Sequence, residues 1–591
     1  MWIIPAKDIK CEQENRCRLA FYICNMLFQI ELGRIKQYID MNNREKNISV
    51  PALMVILIFL IVCPLVMIFA KAVVTDGHLD ISMAVQTLKN SSNLKMIGNS
   101  LLLSILVVLV STIIAFPLAY LFSRTKFAKY RFFDIVFMIP FMTPPYIASM
   151  GWILFMQKRG LLQQLIPGAA GCENWFFTIA GLVTVMSLHV FPFMLTILKN
   201  AMLNIPSSLE EAGAVFGAGF WYRIRKIFLP LLSGNYAIGA LLVFVKTISE
   251  YGTPSTLGKR IGFDTFTTEI HRYATVAPVA FGKAATLSSV LIGICLCMWL
   301  LQNYITTRRT YNLVNGRGNR FSEVKMPAVI NVAAWIYIVV VLLIAIGIPY
   351  FSVISTSLIK LRGFGFAKGN FTFDHYVELF TENTKGVNAL LNSFFLAVAA
   401  ATICSLLGTL IVLAVRKSSG RLKKALEGIG LLPEMLPGIV MVIGIMLFWN
   451  QIYNILPLYN TMGILVLAYV VLFLPYTIQY VTSSFTQISG SLMAAGQVFG
   501  GDPVYIFLRI TLPLIKKGIA AGWMMTFIIS FRELVTASLI APPNTLVVST
   551  FIVREFEQGS VSVGMAMAVI CVLFTTTVLL ILNRAIDKNK A

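Results

Sequence analysis

Charged residues are scarce in this chain. Only 13% of its 591 residues are Asp, Glu, Lys or Arg, and 57% are hydrophobic, whereas about one quarter of the residues of an average soluble domain are charged. A soluble core of this length has too few polar residues to cover so much apolar surface. The composition therefore excludes an ordinary soluble protein and indicates an integral membrane protein.

Metal-binding residues are few and scattered. The nine Cys and four His form no group with the spacing of zinc ligands, and most of the Cys lie inside apolar runs. Cys295 and Cys297 would point to different faces of a helix. We therefore expect no metal site and no cofactor.

A phosphate-binding loop is also missing. Such a loop ends in Gly-Lys followed by Ser or Thr, but Gly258-Lys259 is followed by Arg260 and Gly282-Lys283 by Ala284. We expect no enzyme activity, so any energy that this membrane protein uses must come from a partner protein or from an ion gradient.

Ionisable residues are nearly absent from the apolar runs. Secondary transporters usually keep such groups at mid-membrane to bind protons or ions. The segment 123–131 also lacks the Gly and Asp pattern of the major facilitator family. A secondary transporter with twelve helices remains the alternative to a transporter driven by a partner, and a channel or receptor has still less support.

Long uncharged runs make up most of the chain. A helix needs about 20 apolar residues to cross a bilayer. Eight runs of about that length or longer contain no charged residue: 52–70, 100–122, 135–157, 175–198, 284–307, 326–358, 389–415 and 559–582. The uncharged stretch 435–501 must hold more than one crossing, and two further crossings begin at Leu231 and Leu514. The sequence predicts an all-α membrane protein with about twelve transmembrane helices.

Basic residues account for the net charge of +22, and they lie in alternate short loops. The clusters follow the predicted spans two, six and eight: Arg124, Lys126, Lys129 and Arg131; Arg308, Arg309, Arg317, Arg320 and Lys325; Arg416, Lys417, Arg421, Lys423 and Lys424. Cytoplasmic loops carry such an excess, so we expect a multi-pass protein of the cell membrane with both termini in the cytoplasm. This pattern indicates the lipid bilayer as a partner and no nucleic acid.

The chain contains an internal duplication. Asn99-Ser100 recurs as Asn392-Ser393, and the prolines at 140 and 144 recur at 433 and 437, all at one displacement along the chain. Pro192 and Pro475, Gly217 and Gly500, and Glu250 and Glu533 share a second, slightly shorter displacement. We predict two parallel six-helix repeats, 51–310 and 327–591, joined by a basic cytoplasmic linker, 311–326, after a cytoplasmic extension, 1–50. Met41 is an alternative start, and we assign the extension no function.

Each repeat carries the same motif between its fourth and fifth spans, in segments 205–230 and 488–513. The first copy has Glu211, Ala212, Gly213, Gly217, Ile227 and Pro230; the second has Ala494, Ala495, Gly496, Gly500, Ile510 and Pro513, with identical spacing. The small residues would allow another protein to approach closely, and Gly217 and Gly500 would permit a turn that a side chain obstructs. Proline suits the first turn of the helix that follows. We expect two short helices joined by a bend.

This motif resembles the EAA loop of the permease subunits of binding-protein-dependent ABC importers. The resemblance implies a type I ABC importer permease fold, with both permease units fused in one chain. It also implies two partners: an ABC ATPase, expected as a homodimer, and an extracytoplasmic substrate-binding protein. The second copy departs from the family pattern because Ala494 replaces the acidic residue, so the two loops need not contact the ATPase equally.

Four charged residues near the ends of predicted spans are candidates for the substrate pathway: Lys246, Glu250, Arg532 and Glu533. Lys246 and Glu250 are four residues apart and could pair on one helix face. The alternative is that these residues only anchor the helix ends at the membrane interface.

The solute is suggested only by resemblance. Glu250-Tyr251-Gly252-Thr253-Pro254, followed by Leu257-Gly258, is similar to a segment of fused permeases of the ferric-iron type. Permeases for thiamine and for 2-aminoethylphosphonate are close relatives in pattern. Since the binding protein selects the solute in such systems, the resemblance implies ferric iron as the first expectation and these solutes as alternatives.

Overall fold

The computed structural model describes residues 49–75, 78–130, 132–206, 212–213, 215–308, 324, 326–381 and 384–587. Most of the predicted N-terminal extension and of the predicted linker lie outside the described residues, as does Glu211.

The described residues are mainly helical. Ten helices are long and apolar enough to cross a membrane, and two bent helix pairs bring the number to as many as twelve. Spans 1 to 6 are Val50–Val73, Ser91–Arg124, Phe132–Met142 with Pro145–Met156, Ile179–Leu203, Leu229–Ile248 and Phe281–Thr306. Spans 7 to 12 are Ala328–Leu358, Thr384–Lys417, Gly420–Met435 with Gly438–Gln451, Met462–Thr486, Phe507–Phe531 and Val561–Ile581. The prediction of an all-α protein with about twelve spans is confirmed.

Short elements connect the spans. The α-helices among them are Ser82–Lys89, Leu161–Leu165, Cys172–Phe176, Phe220–Arg223, Phe266–Thr275, Asp374–Thr381, Gly490–Val498, Pro503–Ile506, Val535–Ile540 and Val548–Gln558. The 3-10 turns are Lys126–Lys129, Pro167–Ala169 and Arg362–Phe364. A small antiparallel hairpin pairs Val74–Thr75 with His78–Leu79.

The duplication is visible in the helix boundaries. Spans 2 and 8 both have 34 residues, spans 4 and 10 both have 25 residues, and each pair begins at equivalent positions of the repeats. The bends of spans 3 and 9, of 86° and 110°, lie where Pro144 and Pro437 precede the second helix of each pair. The two halves of the chain are thus built on the same plan.

Proline also explains an irregularity of four spans. Four π turns, Ile58–Val62, Ile224–Phe228, Leu343–Gly347 and Phe507–Thr511, each end two residues before a proline. A proline ring clashes with the carbonyl group one turn back and cannot donate a hydrogen bond. Widening the turn lets the helix continue through the proline, with a local bend.

The first span of each half packs on the other half. A Cβ atom at Gly151 of span 3 would lie 2.6 Å from the carbonyl oxygen of Pro349 of span 7. A Cβ atom at Gly444 of span 9 would lie 2.7 Å from the carbonyl oxygen of Pro64 of span 1. Only glycine allows these backbones to approach so closely, and the two contacts hold the halves together.

Candidate functional site

The second motif forms a short helix that ends at a glycine. Helix Gly490–Val498 is followed by Gly500, which has a φ of +79°. The Gly501 N–H donates to the carbonyl of Gly496 at 2.9 Å, and the Gly500 N–H donates to that of Gln497 at 3.0 Å. This is a glycine-terminated helix end in which a left-handed residue satisfies the last carbonyl groups.

The first motif repeats this geometry in the part that the structure describes. Ala212 and Gly213 are helical, Gly217 has a φ of +75°, and the Ala218 N–H donates to the Gly213 carbonyl at 2.9 Å. Glu211 lies outside the described residues. Both motifs therefore place the same sharp bend directly after a short helix.

The glycines of the motif act for different reasons. At Gly217 and Gly500 a Cβ atom would meet no atom within 4 Å, so glycine is required by the positive φ and not by an obstruction. At Gly213 and Gly496 a Cβ atom would lie 3.1 Å and 2.8 Å from the Cδ1 atom of the motif isoleucine, Ile227 or Ile510. These small residues thus let the short helix pack on the helix that follows it in the same chain.

The prolines of the motif lie in the first turn of the α-helices that form spans 5 and 11. Pro230 and Pro513 are the second residues of helices Leu229–Ile248 and Leu512–Phe531, as the sequence predicts. A π turn precedes each of these helices without a break, so the helical run begins before the proline. The bend lies at Gly217 or Gly500.

An apolar pair that the sequence analysis missed projects from each bend. Val215 and Phe216 are 84% and 89% exposed, and Val498 and Phe499 are 84% and 90% exposed. The signal was present, since the two pairs occupy equivalent positions of the duplication and stand beside the motif glycine. Because these pairs lie outside the transmembrane spans, they are candidates for contact with another protein or with the membrane surface.

The two candidate glutamates hold backbone turns. The Glu250 carboxylate accepts hydrogen bonds from the Thr253 N–H at 3.1 Å. The Glu533 carboxylate accepts from the N–H groups of Val535 at 2.9 Å and Thr536 at 2.8 Å. Each carboxylate therefore caps the turn that follows its span.

Lys246 does not take part in this turn. Span 5 ends at Ile248, so Glu250 lies beyond the helix, and Lys246 forms no ion pair among the described residues. The expected pairing of Lys246 with Glu250 on one helix face is wrong, because the helix ends between them.

Matching hydroxyl groups fix the segments after these turns. The Phe266 N–H donates to the Ser100 hydroxyl, and the Val548 N–H donates to the Ser393 hydroxyl, both at 2.8 Å. Asn99 and Asn392 donate to carbonyl groups of the same segments at 3.3 Å and 2.9 Å. The duplicated Asn-Ser pairs thus tie the second span of each half to the helix that follows the candidate glutamate.

Arg532 has no counterpart in the first half. The duplication places Ser249 at its position. The guanidinium group lies close enough to Tyr146, Tyr350 and Tyr476 to interact with them electrostatically. Arg532 and its neighbour Glu533 thus both lie within electrostatic range of side chains from the two halves.

A cavity of about 310 Å³ lies between the segments that follow spans 5 and 11. It is lined by Thr256, Lys259, Arg260, Phe556, Glu557 and Gln558. Lys259 pairs with Glu557 at 3.1 Å, and the Arg260 guanidinium lies 5.2 Å from the centre of the Phe556 ring. Burial lowers the pKa of Arg260, and the charge of Glu557 opposes this shift.

Known proteins resemble this chain over most of its length. Ferric transport system permease protein FbpB of Actinobacillus pleuropneumoniae is 25% identical over 90% of this chain and 76% of its own length. Fe(3+)-transport system permease protein FbpB 2 of Haemophilus influenzae is 22% identical over 89% of this chain and 96% of its own length. Molybdenum transport system permease protein ModB of Escherichia coli is 26% identical over 35% of this chain and 90% of its own length.

A family model matches twice, once in each half. It describes the inner membrane component of binding-protein-dependent transport systems, and it matches residues 107–311 and 405–591. Both matches include the glycine-terminated bend and the span that follows it. The chain belongs to the family of inner membrane components of binding-protein-dependent transport systems, as a permease in which the family domain occurs twice.

Proposed function

We propose that this permease imports ferric iron and is driven by a separate ATPase homodimer. Two relatives whose names state ferric transport match 90% and 89% of the chain, which supports this solute. The observation that carries the driving mechanism is the pair of exposed Val-Phe side chains, repeated beside equivalent glycine bends.

The two bends couple ATP hydrolysis to the spans. Each short helix seats in a groove of one ATPase subunit, with Phe216 or Phe499 as its apolar contact. A glycine-terminated helix is a compact projection, and its packing on Ile227 or Ile510 would carry a displacement directly into span 5 or span 11. Glu211 has an alanine counterpart, Ala494, so the first loop alone could form a charge-assisted bond to the ATPase.

The passage runs between the halves, and Lys246, Glu250, Arg532 and Glu533 lie along it. A loaded binding protein docks on the side opposite the ATPase. Both termini and both bends face the cytoplasm, in keeping with the basic clusters of alternate loops. Alternating access then follows when the ATPase dimer closes and moves the two bends together.

Thiamine and 2-aminoethylphosphonate remain alternative solutes, on the resemblance of the segment from Glu250 to Pro254. The test is uptake of radiolabelled ferric iron into proteoliposomes that contain the permease with its ATPase and binding protein. Uptake must need ATP and the binding protein, and unlabelled thiamine or 2-aminoethylphosphonate must not compete. Uptake driven by an ion gradient without the ATPase would reject the driving mechanism, and competition by another solute would reject ferric iron.

The orientation has its own test. In a variant whose native cysteines are replaced, a cysteine placed at Val498, which is 84% exposed, should react with a membrane-impermeant maleimide only in inside-out vesicles. A cysteine at exposed Lys368, between spans 7 and 8, should react only in right-side-out vesicles. The opposite pattern would place the bends outside and remove the basis for ATPase contact.

A further inference from the structure

Arg532 is a cation without a partner in the described part of the chain. It follows the last residue of span 11, between the buried residues Phe531 and Leu534 and next to Glu533. Among the described residues its guanidinium group forms neither an ion pair nor a hydrogen bond. Arg532 itself is partly exposed, and a charge that is partly removed from water is stabilised by a compensating anion.

The adjacent carboxylate does not compensate it. Glu533 directs its two oxygen atoms to the N–H groups of Val535 and Thr536, and it forms no ion pair with Arg532 among the described residues. Two neighbouring residues of opposite charge thus act separately, and the guanidinium group stays available to another anion.

Side chains from both halves lie within electrostatic range of the guanidinium group. Tyr146 and His189 come from the first half, while Tyr350 and Tyr476 come from the second. The Tyr350 hydroxyl lies 2.7 Å from that of Thr143, and the His189 ring bonds to the Pro140 carbonyl. With Cys571, these groups come from five different spans, 3, 4, 7, 10 and 12.

The Tyr146 hydroxyl is a second polar group that lacks a partner. Tyr146 is 2% exposed, and its hydroxyl group makes no hydrogen bond to any residue that the structure describes. A buried hydroxyl group that makes no hydrogen bond loses free energy, and buried polar groups in native proteins are nearly always paired. The Tyr146 hydroxyl lies within electrostatic range of the Arg532 guanidinium group, so the two groups together offer several hydrogen-bond donors to one acceptor.

We propose that Arg532 and Tyr146 bind an anionic oxygen group of the transported solute, either a free oxyanion or an oxyanion that accompanies ferric iron. The inference deepens the proposed function, on which it rests, because it assigns a substrate class to the passage between the halves. Arginine suits this role, since its planar fork binds oxyanions through two parallel hydrogen bonds.

The charge difference between the halves supports this assignment. The internal duplication gives Ser249 at the position of Arg532, and the stretch 541–544, which corresponds to the region of Lys259 and Arg260, contains no cation. The cavity between the halves is lined by both of these cations and by one carboxylate, Glu557. The cations outnumber the carboxylate, so they would attract an anion and repel a bare metal cation.

The test compares Arg532→Ser, which copies the first half, with Arg532→Lys and with Lys424→Gln. Lys424 is exposed in span 9, so Lys424→Gln removes one positive charge away from the site. Proteoliposomes with ATPase and binding protein receive either labelled phosphate alone or labelled ferric iron together with labelled phosphate. We expect Arg532→Ser to lower ATP-dependent phosphate uptake at least tenfold, Arg532→Lys to keep only part of it because an ammonium group lacks the planar fork, and Lys424→Gln to match the wild type.

The experiments with and without ferric iron distinguish a free oxyanion from an oxyanion that accompanies ferric iron. Phosphate that enters without iron identifies a free oxyanion, and phosphate that enters only with iron identifies a complex. Iron uptake without phosphate label in the wild type, or unchanged phosphate uptake in Arg532→Ser, would overturn the inference. ATP-dependent phosphate uptake without any iron uptake would instead reject the ferric solute and leave the anion site in place.

Assembly with the ATPase and basal ATP hydrolysis check that Arg532→Ser is folded. Where that variant fails to assemble, Tyr146→Phe decides, because it removes only the unpaired hydroxyl group. We expect Tyr146→Phe to lower phosphate uptake severalfold at unchanged basal ATP hydrolysis. Uptake equal to that of the wild type would overturn the inference.

Discussion

The exposed phenylalanines at the two bends give the sharpest test of ATPase coupling. Phe216 is 89% exposed and Phe499 is 90% exposed, so neither side chain supports the fold to a measurable extent. Exposed substitutions away from special features change stability by less than about 0.5 kcal/mol. Phe216→Ala and Phe499→Ala should therefore leave the melting temperature of the permease unchanged.

Binding to the ATPase should respond strongly. Full burial of a phenylalanine side chain contributes about 1.5–3 kcal/mol, which corresponds to roughly 10- to 150-fold in affinity. Each single variant should weaken ATPase binding by that range. Since the loops lie in different halves and share no contact among the described residues, the double variant should lose roughly the sum of the two free energies.

The assay is titration of the purified ATPase onto permease in nanodiscs, with transport-coupled ATP hydrolysis as a second measurement. Phe373→Ala is the matched control, because Phe373 is 72% exposed and lies between spans 7 and 8. Its affinity for the ATPase should equal that of the wild type. Unchanged affinity in the Phe216 and Phe499 variants would refute coupling through the bends, as would an equal loss in the control.

Three further variants test the backbone and the packing. In the double variant Gly217→Ala with Gly500→Ala, each left-handed alanine should destabilise the bend by about 1–2 kcal/mol. Coupled transport should fall while membrane insertion stays unchanged, and full coupling would contradict the need for a positive φ. Arg124→Met should lower the melting temperature, because the Arg124 side chain donates hydrogen bonds to two carbonyl groups at the end of span 4, at 2.7 Å and 2.6 Å. Lys417 is the equivalent residue of the second half and is exposed, so Lys417→Met should leave the melting temperature unchanged. Equal melting temperatures of the two variants would refute this role of Arg124. Gly444→Ala should weaken the contact between the halves, since its Cβ atom would lie 2.7 Å from the facing backbone of span 1, and a stability equal to that of the wild type would show that the spans separate easily.

The sequence predicted the spans and the duplication well because both depend on long-range composition. An apolar run of bilayer length has few folded alternatives. The motif spacing also located the bends. Glycine adopts a positive φ without strain, so each bend needs a glycine at one particular position. The positions of Gly217 and Gly500 in the motif therefore predict their backbone conformation.

Local interactions of the side chains could not be predicted in the same way. The sequence suggested a helical pair of Lys246 with Glu250, but the helix ends at Ile248 and the carboxylate binds the Thr253 N–H. The π turns before Pro230 and Pro513 were missed because a proline is compatible both with a helix start and with a widened turn. The choice between such alternatives depends on the packing around them, which one sequence does not display.

The two halves differ mainly in charge and agree in the groups that hold the backbone. Ser100 and Ser393 accept the same hydrogen bond, and Glu250 and Glu533 cap equivalent turns. By contrast, Arg532 replaces a serine of the first half. A duplicated framework preserves what folding requires, so a charge that occurs in one half only must be retained for another reason. Lys199 also occurs in one half only, and it pairs with Asp134 of the same half. Arg532 makes no ion pair among the described residues, and we therefore propose the transported solute as its partner.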